Sequence, residues 1–204
     1  MGAGLLEGPF VGGLLVTVSA FFVARYAWRH RADLLGDEGN ILQGLIIWGL
    51  GIWAVNVGWL IGIYCRGANN EPGVSLAVAA TTVLLMELAG RKLGWLPGRI
   101  PAAATLLALP VLVLAWAVGI GNFLQQGGWL GWPLYLFTGL VSLRRFVPDA
   151  PKPVIFLHPV SFWGFTLFAC VAIGLYAKNV AHLDDSWSVS LGGMAGAAAL
   201  GLLL

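Results

Sequence analysis

Residues 41–65, ILQGLIIWGLGIWAVNVGWLIGIYC, form an uncharged run of 25 residues. As a helix this run is about 37 Å long. The hydrocarbon layer of a bilayer is about 30 Å thick, so the run crosses it with some tilt to spare. Six other stretches resemble it, and the rest of the chain follows the same composition: 59% hydrophobic, 10% charged, mean hydropathy +0.86. Soluble domains carry about 25% charged residues. Too few charges are present to solvate a globule, and the simplest resolution is a surface that faces lipid.

The spacing predicts an all-α, polytopic transmembrane bundle, packed as one domain over 1–204 or laid out as a curved row. About seven spans are expected, near 9–28, 41–65, 74–90, 101–123, 129–143, 154–177 and 187–204. Turn residues Asn69, Asn70, Pro72 and Gly73 separate the second span from the third, and Pro97-Gly98 separates the third from the fourth. Pro110 lies inside the fourth span, where a lipid-embedded helix tolerates a kink. The seventh run is about 24 Å long from Val189 to Leu204. It has no polar flank, which suggests part of a longer polypeptide. The N-terminal stretch does not read as a cleavable signal, because Glu7 stands where a basic residue is needed.

Orientation follows from the basic residues. Loops after the first, third and fifth spans hold Arg25, Arg29, Arg31, Arg91, Lys92, Arg99, Arg144, Arg145 and Lys152; the opposite loops hold only Arg66 and Lys178. Positive residues anchor on the cytoplasmic side, which puts the N-terminus outside. Trp28, Trp95, Trp129, Trp132 and Trp187 fall near span ends and read as interfacial belt residues. Trp48, Trp53, Trp59, Trp116 and Trp163 lie deeper and are expected to pack between helices.

Few polar groups sit inside the spans. Glu87 is one, and a carboxylate at that depth is a candidate proton or substrate site. Arg91 is four residues on, the helical pairing distance, so an interfacial ion pair is the competing and simpler expectation. Asn56 sits mid-span and needs a partner across a helix interface, unless it lines a polar cavity. Gly58 with Gly62, and Gly192 with Gly196, form two GxxxG steps expected to bring helices into close contact.

The remaining signals are weaker. His158 opens the sixth span, but haem ligation needs a facing histidine at matching depth, and none is placed there. His182, Asp184 and Asp185 do not complete a metal shell and read as a solvated loop. Cys65 and Cys170 read as free thiols in apolar runs. The last span has no lysine for a retinal Schiff base, and no hydrolase, zincin or phosphate-loop motif is present. No catalytic residue, metal ligand or cofactor is therefore assigned. Net charge is only +2, which gives no footprint for nucleic acid.

Four segments carry a family resemblance: ELAGRKLGW at 87–95 before a proline-bearing leucine-rich span, GGWLGWP at 127–133, LRR at 143–145, and LHPVSFW at 157–163. Their order resembles a family of very long bacterial predicted membrane proteins catalogued only as a domain of unknown function. The resemblance covers roughly residues 40–190. The chain departs from the pattern at Gly131, where the family motif has alanine, and in being far shorter. Membership would imply a many-helix envelope protein in the bacterial inner membrane, and it carries over no site residue. The expected role is structural or assembly-related, with membrane lipid, further helices of a longer chain or a second copy as partners. A segment of a transporter or of a lipid or polysaccharide flippase is the alternative, and an intramembrane enzyme the third reading.

Overall fold

The computed structural model describes residues 8–30, 32, 38–65, 69–145 and 157–203. The described residues form seven α-helices: α1 (Gly8–Arg29), α2 (Glu38–Tyr64), α3 (Glu71–Lys92), α4 (Ile100–Gly119), α5 (Gly128–Arg145), α6 (Leu157–Asn179) and α7 (Asp185–Leu203). A 3₁₀ turn, Leu96–Arg99, joins α3 to α4. Among the described residues, five stretches are long and apolar enough to cross a membrane: Phe10–Arg29, Ile41–Tyr64, Glu71–Lys92, Leu96–Gly119 and Pro159–Asn179. α5 has 18 residues and closes on Arg144 and Arg145, while α7 opens on Asp185, Ser186, Ser188 and Ser190.

Helix boundaries follow from local chemistry. Pro72 occupies the first turn of α3, where a missing N–H costs nothing. At the other end Gly94 takes a left-handed conformation (φ +61°). The Trp95 N–H then bonds the Gly90 carbonyl at 2.7 Å and the Gly94 N–H bonds that of Arg91 at 3.2 Å. Those two bonds make a Schellman cap, which glycine adopts without steric cost.

Contacts between helices fix the threading. Gly13 of α1 lies against Asn56 of α2, and Gly49 of α2 against Ala20 and Phe21 of α1, so these two helices run antiparallel. Gly73 approaches Gly127, just before α5, and Gly131 of α5, and Thr138 of α5 donates to the Ala80 carbonyl, so α3 and α5 run parallel. Gly164 of α6 lies against Leu109 and Pro110, and the Asn179 amide donates to the Gly121 carbonyl, so α4 and α6 are parallel too. This is the pattern of a chain that passes back and forth through one layer.

The main core joins α3, α4, α5 and α6. Leu76, Leu106, Leu109, Val113, Phe165 and an aromatic group of Trp116, Phe123, Trp132 and Tyr135 are buried there. A second, smaller core sits where α1, α2 and the α3–α4 turn meet, around Ala24, Leu42, Ile46 and Trp95. Large apolar side chains cover the outside instead: Phe22, Ile47, Val111, Val118 and Val189 are all exposed. An apolar exterior on this scale suits lipid rather than water.

The tryptophan expectations need correction. Trp95 and Trp132, read as belt residues, are buried. Trp132 stacks edge-on against Trp116 and lies beside Phe123 and Phe168, because Gly128 lets the start of α5 close against the Trp116 ring. Conversely Trp48, Trp59 and Trp163, expected between helices, are exposed. They occupy outward faces, where a lipid-facing aromatic costs nothing. Trp53 and Trp116 do pack inside, and Trp129 and Trp187 are exposed at helix ends.

Candidate functional site

Among the described residues, the most deeply buried charges belong to Glu87 and Arg99, exposed by 1% and 6%. Glu87 lies in the last two turns of α3 on its inner face, and Arg99 ends the 3₁₀ turn that brings the chain back. The Arg99 Nε donates to both carboxylate oxygens of Glu87 at 3.0 and 3.1 Å, and Nη2 donates to Oε1 at 2.8 Å. Fork-on-fork pairing of this kind fixes geometry as well as charge. It also answers the cost of taking two ions out of water, which an unmatched ion could not do.

Glycine makes the pair possible. A Cβ at Gly90 would lie 2.7 Å from Arg99 Cγ, so the α3 surface is cut away to admit the arginine stem. Gly94 provides the cap that ends α3, and Gly98 lies under the Trp95 ring. The sequence ELAGRKLGWLPGR is therefore a single folded corner. The simpler expectation, an ion pair with Arg91 four residues on, is overturned: Glu87 pairs with Arg99, and Arg91 is exposed. Glu87 faces the corner, while a long cation in the last helical turn extends its head to water. Periodicity along one helix could not find a partner supplied by the returning chain.

The end of α1 locks this corner from the side. Arg25 Nη1 donates to the Leu93 carbonyl at 3.0 Å, and Trp28 Nε1 donates to that of Gly94 at 3.3 Å. A cation at a helix C-terminus also meets the negative end of the helix dipole. A cavity of about 270 Å³ adjoins the pair, lined by Gly90, Arg91, Gly94, Trp95, Leu96 and Arg99. The Trp95 Nε1 is buried with no hydrogen-bond partner among the described residues.

No family model, curated protein or solved structure matches the chain. The chemistry of the site must therefore be read from its own residues.

Asn56 is wedged against Gly13 of α1, as a contact between helices requires. Its Nδ2 nevertheless has no hydrogen-bond partner among the described residues, and neither does the buried Thr17 Oγ1 on α1. The two GxxxG steps divide. Gly192 packs against the Cys170 carbonyl and Gly196 against the Cys170 sulfur, which joins α6 to α7. Among the described residues, Gly58 and Gly62 have no atom within 4 Å of where a Cβ would stand, so the expected helix contact is not made there. Gly58 instead lines a second cavity, an apolar groove of about 340 Å³ between α2 and α3.

Two further candidates can be placed. His158 is the second residue of α6, and its side chain lies outside the described residues, as do Arg31, Arg66 and Lys152. Asp185 pairs with Lys178 at 2.8 Å in an exposed position, and His182 stands in the loop between them. Sequence reasoning missed Arg99 as a buried partner. The available signal was the Pro97-Gly98 turn, which returns Arg99 toward the end of α3.

Proposed function

We propose that the chain is an integral membrane scaffold of the bacterial inner membrane, with about seven spans and the N-terminus outside, serving a structural or assembly role in the cell envelope. The observation that carries this reading is the closed ion pair. Both oxygens of Glu87 are engaged by one guanidinium at a turn between two helices. A latch of this kind holds a bundle corner and leaves neither carboxylate oxygen without a partner.

Orientation is supported by the same corner. The C-terminal ends of α1 and α3 meet through Arg25 and Trp28, and Arg29, Arg91 and Lys92 gather at that end. Clustered cations favour the cytoplasmic face. The lateral groove between α2 and α3 favours a second reading, in which the chain is a segment of a lipid transporter or flippase.

A complementation experiment separates the two. A deletion strain carrying the double substitution Glu87→Leu and Arg99→Met should show the wild-type permeability barrier to detergents and large antibiotics if the role is structural. Loss of that barrier, with the double variant present in membranes at the wild-type level, would overturn the scaffold reading and favour transport.

A further inference from the structure

We infer that the groove between α2 and α3 is a site for one acyl chain of a phospholipid, drawn from the leaflet on the side of the α2–α3 turn. This inference rests on the membrane reading above and adds the ligand and its position.

Dimensions argue for that occupant. On α2 the groove is lined from Leu50 to Ile61, and on α3 from Ser75 to Val83. The eleven steps from Leu50 to Ile61 along α2 measure about 16 Å, and one leaflet of a bilayer contributes about 15 Å of hydrocarbon, half of the whole layer. Position argues the same way. The apolar stretch of α2 runs Ile41–Tyr64, and that of α3 runs Glu71–Lys92. Leu50 and Val83 lie near the middle of those stretches, while Ile61 and Ser75 lie about one turn from their ends at the α2–α3 turn. The groove therefore occupies one leaflet's depth and stops near the midplane.

Its chemistry completes the case. Side chains of Leu50, Val57, Ile61, Val78 and Val83 line it, a surface that hydrocarbon wets and water does not. Trp53 Nε1 donates to Thr82 Oγ1 at 3.0 Å, and Thr82 Oγ1 donates to the Val78 carbonyl at 2.8 Å. The polar atoms near the closed end are thus satisfied within the protein and ask nothing of the ligand. Ala54, Gly58, Ser75 and Ala79 are exposed, so a chain enters sideways from the bilayer. At the end nearest the α2–α3 turn, the exposed Ser75 offers a hydrogen-bonding group. A second copy of the chain is a poorer fit, because a helix is about 10 Å across with its side chains and would bridge the groove rather than fill it.

The test is lipid retention. The intact chain is extracted from membranes in mild detergent, and bound phospholipid is counted by native mass spectrometry. Wild type should keep about one phospholipid per chain. Ala79→Trp and Ala54→Phe, which fill the groove from opposite walls, should each lower retention at least fivefold while keeping a cooperative thermal melt. Gly193→Trp, at an open position on α7, should retain lipid as wild type does. Equal retention in all four proteins, or none in wild type, would overturn the inference while leaving the membrane reading intact. A disulfide-linked dimer formed by Gly58→Cys in membranes would also overturn it, by assigning the groove to a second copy. Recovery of the chain in the soluble fraction would overturn the membrane reading itself.

Discussion

The two faces of α3 are built to opposite rules. Toward α5 the backbones nearly touch: a methyl at Gly73 would overlap the Gly127 carbonyl group, and one at Gly131 would meet the Gly73 carbonyl. The Gly73 N–H donates to the Gln126 carbonyl at 2.9 Å, and Thr138 donates to that of Ala80 at 3.2 Å. Toward α2 the helices stand apart, leave a groove, and meet through the Trp53–Thr82 bond and the small core around Trp95. Between helices in lipid there is little hydrophobic drive, so close packing and hydrogen bonds decide what associates. The α3–α5 face has both, and the α2–α3 face has one side-chain bond. The hairpin of α1 and α2 is tied to the bundle at the α3–α4 corner, which the Glu87–Arg99 pair closes and where Arg25 and Trp28 of α1 donate to the Leu93 and Gly94 carbonyls.

Breaking the corner should have the largest effect. Arg99→Ala strands a buried carboxylate, and loss of one partner of a buried ion pair costs about 3–5 kcal/mol. Thermal unfolding in detergent should fall accordingly. The double substitution Glu87→Leu with Arg99→Met should recover most of the loss, because an apolar pair of similar volume leaves no orphan charge. Failure of the double variant to recover would mean that the corner depends on more than charge balance.

The tight face comes next. Gly73→Ala forces α3 away from α5 and should cost about 1–3 kcal/mol, the usual range for overpacking. The matching change on the loose face, Gly58→Ala, meets open space. It should be neutral or stabilising by up to about 1 kcal/mol, since alanine restricts the unfolded chain more than glycine does. Equal penalties at the two glycines would erase the contrast. A smaller effect is expected of Thr82→Val, which removes the acceptor for Trp53 Nε1 and should cost about 0.5–1.5 kcal/mol.

Most of the fold was legible because the solvent imposes it. Lengths of apolar runs and the alternation of basic loops are properties of the chain itself, and the seven helices fall within a few residues of the expected positions. What stayed hidden depends on how one helix meets another. Gly58-xxx-Gly62 and Gly192-xxx-Gly196 are indistinguishable as strings. Only the second finds a neighbour, at Cys170, because α7 returns directly along α6. Trp95 reads as an interfacial anchor from its place at a span end, yet the cap at Gly94 turns the chain inward and buries it. Glu87 was legible as the charge to watch, but its partner was not, since Arg99 reaches it only after a turn. Gly131 likewise shows its reason only in the α3–α5 contact, where a Cβ would meet the Gly73 carbonyl.

The account depends most on the two ends of α3 lying on opposite sides of a bilayer. Single cysteines at Asn70 and Lys92, introduced with Cys65→Ala and Cys170→Ala, test this directly with a thiol reagent that does not cross membranes. In intact cells stripped of their outer membrane, Asn70→Cys should be labelled at once and Lys92→Cys only after the membrane is opened. Labelling of both positions to the same extent before opening would contradict the threading.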